Sequence, residues 1–468
     1  MIIEQLYTGC LAEAAYYIES NGEVAIIDPL RETSQYVEKA KQNGAEIKYI
    51  LETHFHADFV SGHVDLAKKT GAEIVFGPTA KTEFAIHTAT DGEELKLGNV
   101  TIQVIHTPGH TLESTCYLLK DENGKEVALF SGDTLFIGDV GRPDLAVKSD
   151  LSKEDLAKML FDSLRNRVMT LPDDIIVYPG HGAGSACGKN LSSETFDTLG
   201  NQKLTNYALR ADMTKEEFVK EVTEGILPPP QYFPKNAMMN KSGYAEFDDV
   251  MSAGNRAWSA DEFERIANEH HALILDTRSK EDYAKEHIPG SIFIGLDGGF
   301  APWVGALIVD IHQPILFIAP GGQEEEVITR LSRVGYDATL GYLKGGIEAW
   351  KQAGKEIDEV VGISATDLAL KMKSNELSVV DVRKQGEYDS EHVHNAANIP
   401  LDYINSNMDK LDKNSTLFLH CKSGYRSLIF ASIMKSRGMH DVVNVEGGFE
   451  ALKETDIPKS AYVCPSEL

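Results

Sequence analysis

Thr53-His54-Phe55-His56-Ala57-Asp58-Phe59 is the stretch on which the reading of the first half of this chain turns. Two imidazoles and a carboxylate fall within residues 54–58, directly after the apolar run 47–51. The apolar runs 23–27, 100–105, 127–130 and 175–178 end similarly, on Asp28-Pro29, His106-Thr107-Pro108-Gly109-His110, Ser131-Gly132-Asp133 and Pro179-Gly180-His181. Short apolar runs bounded by Gly, Pro and Asp read as strands. Polar residues at their ends gather along one edge of a sheet, where loops carry sites. A lone histidine is by default a core or surface residue. His54, His56, Asp58, His110, Asp133 and His181 together supply the nitrogen and oxygen donors that iron or zinc prefers.

Between these strands, 34–43, 60–69, 153–165 and a segment near 204–226 read as helices. Pro228-Pro229-Pro230 interrupts the pattern, and the stretch from there to 255 reads as a linker or wrapping arm. A first domain over residues 1–250, linker included, follows.

The second half repeats itself. Ile274-Leu275-Asp276-Thr277-Arg278 matches Val379-Val380-Asp381-Val382-Arg383, Tyr283 matches Tyr388, and Glu286-His287-Ile288 matches Glu391-His392-Val393. Leu316-Phe317-Ile318 then matches Leu417-Phe418-Leu419, and Gly345-Gly346-Ile347-Glu348-Ala349 matches Gly447-Gly448-Phe449-Glu450-Ala451. The period is too long for a solenoid and fits tandem α/β domains over 255–356 and 360–462, each a mostly parallel sheet with helices on both faces.

Composition narrows the function classes. Lys and Arg number 45 against 72 Asp and Glu, a net charge of −27. No basic footprint exists to neutralise phosphates, so neither nucleic acid nor an anionic membrane is an expected partner. The start of the chain has no basic segment followed by an apolar one, and no apolar run approaches a membrane span. Five cysteines, Cys10, Cys116, Cys187, Cys421 and Cys464, are too scattered for a disulfide framework. The expectation is a cytoplasmic, reducing setting in which a special cysteine is chemical.

The order His-x-His-x-Asp, then His110, Asp133 and His181, resembles the metallo-β-lactamase superfamily over roughly 1–250. The resemblance implies an α/β chain opening with an αββα sandwich. That superfamily usually carries a further histidine after the Asp, where this chain has Phe59. A phenyl ring cannot ligate, which compromises a two-zinc hydrolase and favours a mononuclear centre. The mononuclear branch it resembles is the persulfide dioxygenases. Their ligand set, carried onto this chain, is His54, His110 and Asp133 around one Fe(II) per N-terminal domain, a facial triad open to O2 and a sulfur anion. His56, Asp58 and His181 then lie beside the metal, orienting ligands and waters. Gly141-Arg142-Pro143-Asp144 resembles the Gly-Arg-x-Asp segment of the same enzymes, making Arg142 a candidate for orienting the loop or an anionic thiol carrier, with a plain pairing to Asp144 equally open. Cys187, in a Gly-rich segment, reads as a buried inert thiol or a neighbour of the substrate channel. Implied partners are a persulfide of glutathione, coenzyme A or bacillithiol, O2, and sulfite or thiosulfate; a homo-oligomer is also implied.

Leu417-Phe418-Leu419-His420-Cys421-Lys422-Ser423-Gly424-Tyr425-Arg426-Ser427 is the second strong signal. A strand ends in a cysteine, a Gly-containing loop follows, and a helix over 427–437 comes next. Loop amides and a helix N-terminus favour a thiolate nucleophile. Four residues separate Cys421 from Arg426, one fewer than in tyrosine phosphatases. The loop and the tandem copies resemble rhodaneses, doubly wound α/β domains whose cysteine carries a persulfide sulfur. The resemblance makes Cys421 and Arg426 catalytic and Lys422, Ser423, Gly424, Tyr425 and Ser427 the sulfur-binding loop, with Lys422 and Arg426 facing an anionic donor. In the first copy Pro320 stands opposite Cys421, in Ala319-Pro320-Gly321-Gly322-Gln323. Without a thiol that copy cannot run the chemistry. The joint expectation is iron-dependent persulfide oxidation coupled to rhodanese sulfur transfer. The alternative is a zinc thioester hydrolase of the glyoxalase II type fused to a sulfur relay.

Overall fold

The computed structural model describes residues 1–146, 151–189, 191–412 and 415–464. It divides into two compact units, Met1–Phe247 with Ser332–Gly335, and Asp248–Leu331 with Tyr336–Leu468. No helix among the described residues is long and apolar enough to cross a membrane.

The first unit holds two six-stranded sheets. One contains β1 (Ile2–Thr8), β2 (Glu13–Ser20), β3 (Glu23–Ile27), β4 (Glu46–Glu52), β5 (Glu73–Phe76) and β6 (His87–Thr88), in that order. The other contains β7 (Glu94–Leu97), β8 (Val100–His106), β9 (Thr115–Lys120), β10 (Glu126–Gly132), β11 (Ile176–Pro179) and β12 (Asp197–Thr198), in sequential array. Alternation in the strands gives each sheet two apolar faces. Tyr16, Ile18, Leu51, Val75, Ile102, Val104, Tyr117 and Phe130 fill the space between the sheets. Outside, Tyr17, Ile26, Ile50 and Phe76 meet the helices Ser34–Asn43 and His63–Thr70, while Leu118, Leu129 and Val177 meet Lys153–Ser163. The result is the αββα sandwich expected from sequence.

Three expected elements fall differently. The helix read over 60–69 starts at His63, because Leu30 and Ser61 pair as a β-bridge and hold the chain extended up to Gly62. The segment 204–226 is not one helix but two, Leu199–Thr205 and Lys215–Thr223. Asn206 ends the first, and Thr214 opens the second with a capping box to Glu217. The supposed linker 228–255 contains helices Phe233–Ser242, with Pro in its first turn, and Phe247–Gly254.

In the second unit the two copies share one topology. β13 (Ala257–Trp258), β14 (Leu273–Asp276), β15 (Ile292–Phe293), β16 (Ile315–Ile318) and β17 (Thr339–Leu343) are arranged β13-β17-β16-β14-β15. β18 (Val361–Ile363), β19 (Ser378–Asp381), β20 (Ala397–Asn398), β21 (Leu417–His420) and β22 (Val442–Val445) repeat that order. Every pairing is parallel. The repeated motifs turn out to be structural. Arg278 grips Asp276 and reaches Glu286 O at 2.7 Å; Arg383 grips Asp381 and reaches Glu391 O at 2.8 Å. His287 stacks on Tyr283 at 4.0 Å between centroids, and His392 on Tyr388 at 3.8 Å.

Candidate metal centre and sulfur-transfer loop

The donors of the first unit follow four strands. His54, His56 and Asp58 come after β4, His110 after β8, Asp133 after β10 and His181 after β11. The two sheets thus deliver them to one end of the sandwich. All six are buried. His54 Nε2 lies 3.8 Å and His110 Nε2 3.4 Å from Asp133 Oδ2, and one donor atom from each of the three falls within 4.8 Å of the others. His110 Nε2 and both oxygens of Asp133 have no hydrogen-bond partner among the described residues. Buried donors left unsatisfied and aimed at one point fit a cation. Burial and the neighbouring His56, His110 and His181 push the His54 pKa well down, keeping its ring in the neutral form that ligation needs.

His181 Nε2 faces Asp133 Oδ1 at 3.6 Å and Asp58 Oδ2 at 3.4 Å, and His56, Asp58 and His181 make a second group of donors. Phe59 is fully buried with its ring 4.4 Å from that of His56, centroid to centroid.

Residues passed over in the sequence fix this geometry. Asp28 accepts from the amide and hydroxyl of Thr53, both at 2.8 Å, and Thr53 Oγ1 is 3.0 Å from His54 Nδ1. Asp28 Oδ1 is also 3.1 Å from His56 Nε2. Its backbone has φ 50°, a left-handed conformation that a β-carbon disfavours and that marks sites held by their surroundings. Burial alone would lower the His56 pKa, but Asp28 and Glu52 outweigh it and raise it well above the usual range. Burial opposes ionisation of Glu52, yet His63 and His56 hold its pKa down to about 2. Asn240 donates to His56 O and Phe59 O at 2.8 Å each and accepts from Ser61 N at 2.9 Å, clamping the His-x-His loop. The only signal for Asp28 was its place at a strand end. Asn240 lay in the stretch read as a linker and gave none.

Arg142 is woven into the loop. Its guanidinium holds Asp144 through bonds of 2.6 and 2.8 Å and donates to Ala186 O and Leu227 O. Its main chain ties two site residues: His110 Nδ1 bonds Arg142 O at 2.8 Å, and Arg142 N donates to Cys187 O at 2.9 Å. That brings Cys187, buried, within 4.8 Å of donor atoms of Asp133 and His181. Burial, then Asp58 and Asp133, push its thiol well up.

In the second unit, Cys421 ends β21 and the helix begins at Tyr425, two residues before the expected 427, running to Ser436. Gly424 N donates to Cys421 Sγ at 3.2 Å, and Ser427 Oγ lies 3.5 Å from it. The repeated Gly-Gly motif locks this loop: Phe449 N donates to Cys421 O at 2.7 Å, and a β-carbon on Gly448 would fall 2.5 Å from that oxygen. The matching Gly346 meets nothing within 4 Å. Arg426 is held by Glu387 through bonds of 2.6 and 2.8 Å, and Lys422 is exposed, 3.7 Å from Glu450. Ser423 O accepts from Lys280 Nζ, and Tyr425 donates to Gly295 O at 2.8 Å, so the thiol-less copy grips the loop of its sister.

The family model of the metallo-β-lactamase superfamily matches residues 8–181, and the rhodanese-like domain model matches 259–353 and 364–455. A solved metallo-β-lactamase from Staphylococcus aureus subsp. aureus COL is 33% identical at a TM-score of 0.64, covering 74% of this chain and 98% of its own. A probable hydroxyacylglutathione hydrolase of Schizosaccharomyces pombe is 32% identical over 197 residues, 42% of this chain and 72% of its own length. The chain belongs to the metallo-β-lactamase superfamily. Its metallo-β-lactamase domain is also 28% identical over 211 residues to the human mitochondrial persulfide dioxygenase ETHE1, 45% of this chain and 74% of that one. With two rhodanese-like domains behind that metallo-β-lactamase domain, the chain is an enzyme of sulfur chemistry with a metal-binding fold.

Proposed function

We propose that the first domain, 1–250, oxidises a low-molecular-weight thiol persulfide with dioxygen, and that the rhodanese domain 360–462 moves sulfane sulfur through Cys421, with 255–356 as a thiol-less partner. The observation that carries this reading is the convergence of the buried His54 Nε2, His110 Nε2 and Asp133 Oδ2, the last two without hydrogen-bond partners among the described residues, in a chain that also presents a cradled cysteine. Ferrous iron, one per first domain, supplies when bound the redox chemistry with dioxygen that no side chain provides. The residues do the rest. Thr53 and the Arg142 carbonyl fix the ring orientations of His54 and His110, and the buried wall excludes bulk water. Persulfide, O2 and water give free thiol, sulfite and two protons.

In the second step the Cys421 thiolate attacks the outer sulfur of a persulfide. The S–S bond breaks and the thiol leaves. Sulfite takes the outer sulfur from Cys421 as thiosulfate and restores the thiolate; the reverse course draws on thiosulfate. Gly424 N and the start of the helix face the sulfur throughout. The carrier is of the glutathione, coenzyme A or bacillithiol type, and the setting proposed is a cytoplasmic homo-oligomer engaged in sulfide detoxification.

A second reading, zinc-dependent thioester hydrolysis, is favoured by the identity to hydroxyacylglutathione hydrolases and by the His56, Asp58 and His181 group. Purified full-length protein of measured metal content, offered persulfides of the three thiols and a hydroxyacylglutathione thioester, separates the two. O2 uptake matched by sulfite, with thiosulfate formation lost in Cys421→Ser alone, is expected. Thioester turnover with bound zinc and no O2 uptake would overturn the proposal.

A further inference from the structure

Lys280 Nζ donates to Ser423 O at 3.1 Å, and Gly424 N donates to Cys421 Sγ at 3.2 Å. Ser423 O and Gly424 N belong to one peptide group. No cis peptide bond occurs among the described residues, so this carbonyl and this N–H point in opposite directions within one plane. The oxygen held by the lysine and the hydrogen facing the sulfur are two ends of one rigid dipole. Gly424 has φ 92°, a conformation open to glycine that turns the N–H onto Cys421. A cation at the oxygen end fixes the tilt of the plane. It also draws charge from the hydrogen end, strengthening the bond to a sulfur anion.

The lysine comes from the copy without a thiol and stands on a fixed platform. It opens the helix Lys280–Lys285, whose start is capped by Ser279 Oγ on Asp282 N at 3.1 Å. Beside it Tyr425 donates to Gly295 O at 2.8 Å, and Phe293 N donates at 3.0 Å to Ser432 Oγ on the helix that follows Cys421. In the register of the repeat the residue matching Lys280 is Gln385, which bonds Asp389 on its own helix. A long cation thus stands at the position that meets a sulfur loop, and a neutral amide at its counterpart. Glu281 Oε1, 3.8 Å from Lys280 Nζ, is the carboxylate that competes for it. We propose that Lys280 is a positioning residue for sulfur transfer, acting through the Ser423–Gly424 peptide to hold its N–H on the Cys421 thiolate. The assignment rests on the reading of Cys421 as a sulfur carrier and adds to it the residue that orients its amide donor.

Iodoacetamide, small and uncharged, reads this directly, because a lysine charge cannot steer it. Its rate of reaction with Cys421 is followed on the Cys421 peptide by mass spectrometry, in the full-length protein. That rate should fall about 3–10-fold in Lys280→Met, the effect of a charge-assisted hydrogen bond discounted for the partial exposure of the lysine. Lys280→Arg, which keeps the cation and a donor, should restore it. In thiosulfate formation Lys280→Met should lower kcat more than it raises KM. An unchanged alkylation rate in Lys280→Met, or a loss that Lys280→Arg leaves in place, overturns the assignment. A rise in KM alone, with alkylation untouched, would make Lys280 a steering charge and overturns it as well. Alkylation needs no persulfide, so it judges Lys280 whether or not Cys421 carries sulfur, and thiosulfate formation by Cys421→Ser judges that reading by itself.

Discussion

Asp28 holds Thr53 by two hydrogen bonds of 2.8 Å, one to its amide and one to its hydroxyl. Thr53 in turn meets His54 Nδ1, and Asp28 itself meets His56 Nε2. One carboxylate therefore sets the direction of both imidazoles of the His-x-His motif without belonging to the donor triad. Asp28→Ala is expected to weaken metal retention by about 10–100-fold, the usual effect of losing a group that orients a ligand. Competition with a chelator measures it; retention equal to that of the unaltered chain would show that Asp28 is only packing.

Arg426 and Glu387 form a two-pronged ion pair at the end of the sulfur loop. A lysine keeps the charge but cannot make both bonds. Arg426→Lys is expected to lower sulfurtransferase kcat/KM by roughly 10-fold, matching the 1.5–3 kcal/mol typical of hydrogen bonds to charged groups, discounted for partial exposure. O2 uptake should be unchanged, which a paired assay on the same preparation reads.

Gly298 touches Tyr425 across the two copies: a β-carbon there would lie 2.2 Å from the tyrosine ring. Gly298→Val must displace that ring and with it the first turn of the helix behind Cys421. A cost of about 1–3 kcal/mol follows from overpacking, together with slower sulfur transfer from a substitution in the copy that has no thiol. Unaltered kinetics would mean that the loop tolerates the shift.

His287 gives a pH dependence whose sign can be worked out. Burial lowers its pKa from 6.5 to about 4, against the pull of its bond to Tyr283 O and of Asp358. Between those values the unfolded chain binds a proton that the folded chain refuses, so stability falls as pH drops from 6.5 toward 4. From about pH 7 to pH 5 the loss attributable to this residue is about 1–2 kcal/mol. Melting curves should show His287→Gln losing less stability over that interval than the unaltered protein; parallel slopes would contradict the assignment.

The candidate site residues were legible because they follow apolar strands. His54, His110, Asp133 and Cys421 all stand at the point where a buried run stops and a loop begins. The duplicated domains were legible because Asp276-x-Arg278 and Asp381-x-Arg383 serve the same turn in each copy. The supports were not. Asp28 and Asn240 act on residues distant in the chain, and no local spacing announces a side chain whose partner is chosen by tertiary packing. Helix ends were misread where a side-chain cap such as Thr214 or a β-bridge such as Leu30 with Ser61 sets the boundary. The role of Arg142 was undecidable from its motif, since steering an anion and pairing with Asp144 ask for the same residue.

Lys280, Gly295 and Gly298 bind the copy without a thiol to the loop that has one. The silent copy thus acts on that loop through its shape. Drift should run freely through 319–323, the remnant of its own loop, and stall along the strip beneath Tyr425. Trimming the pair to the copy with the thiol would leave an aromatic ring facing water and the Cys421 turn without its mould.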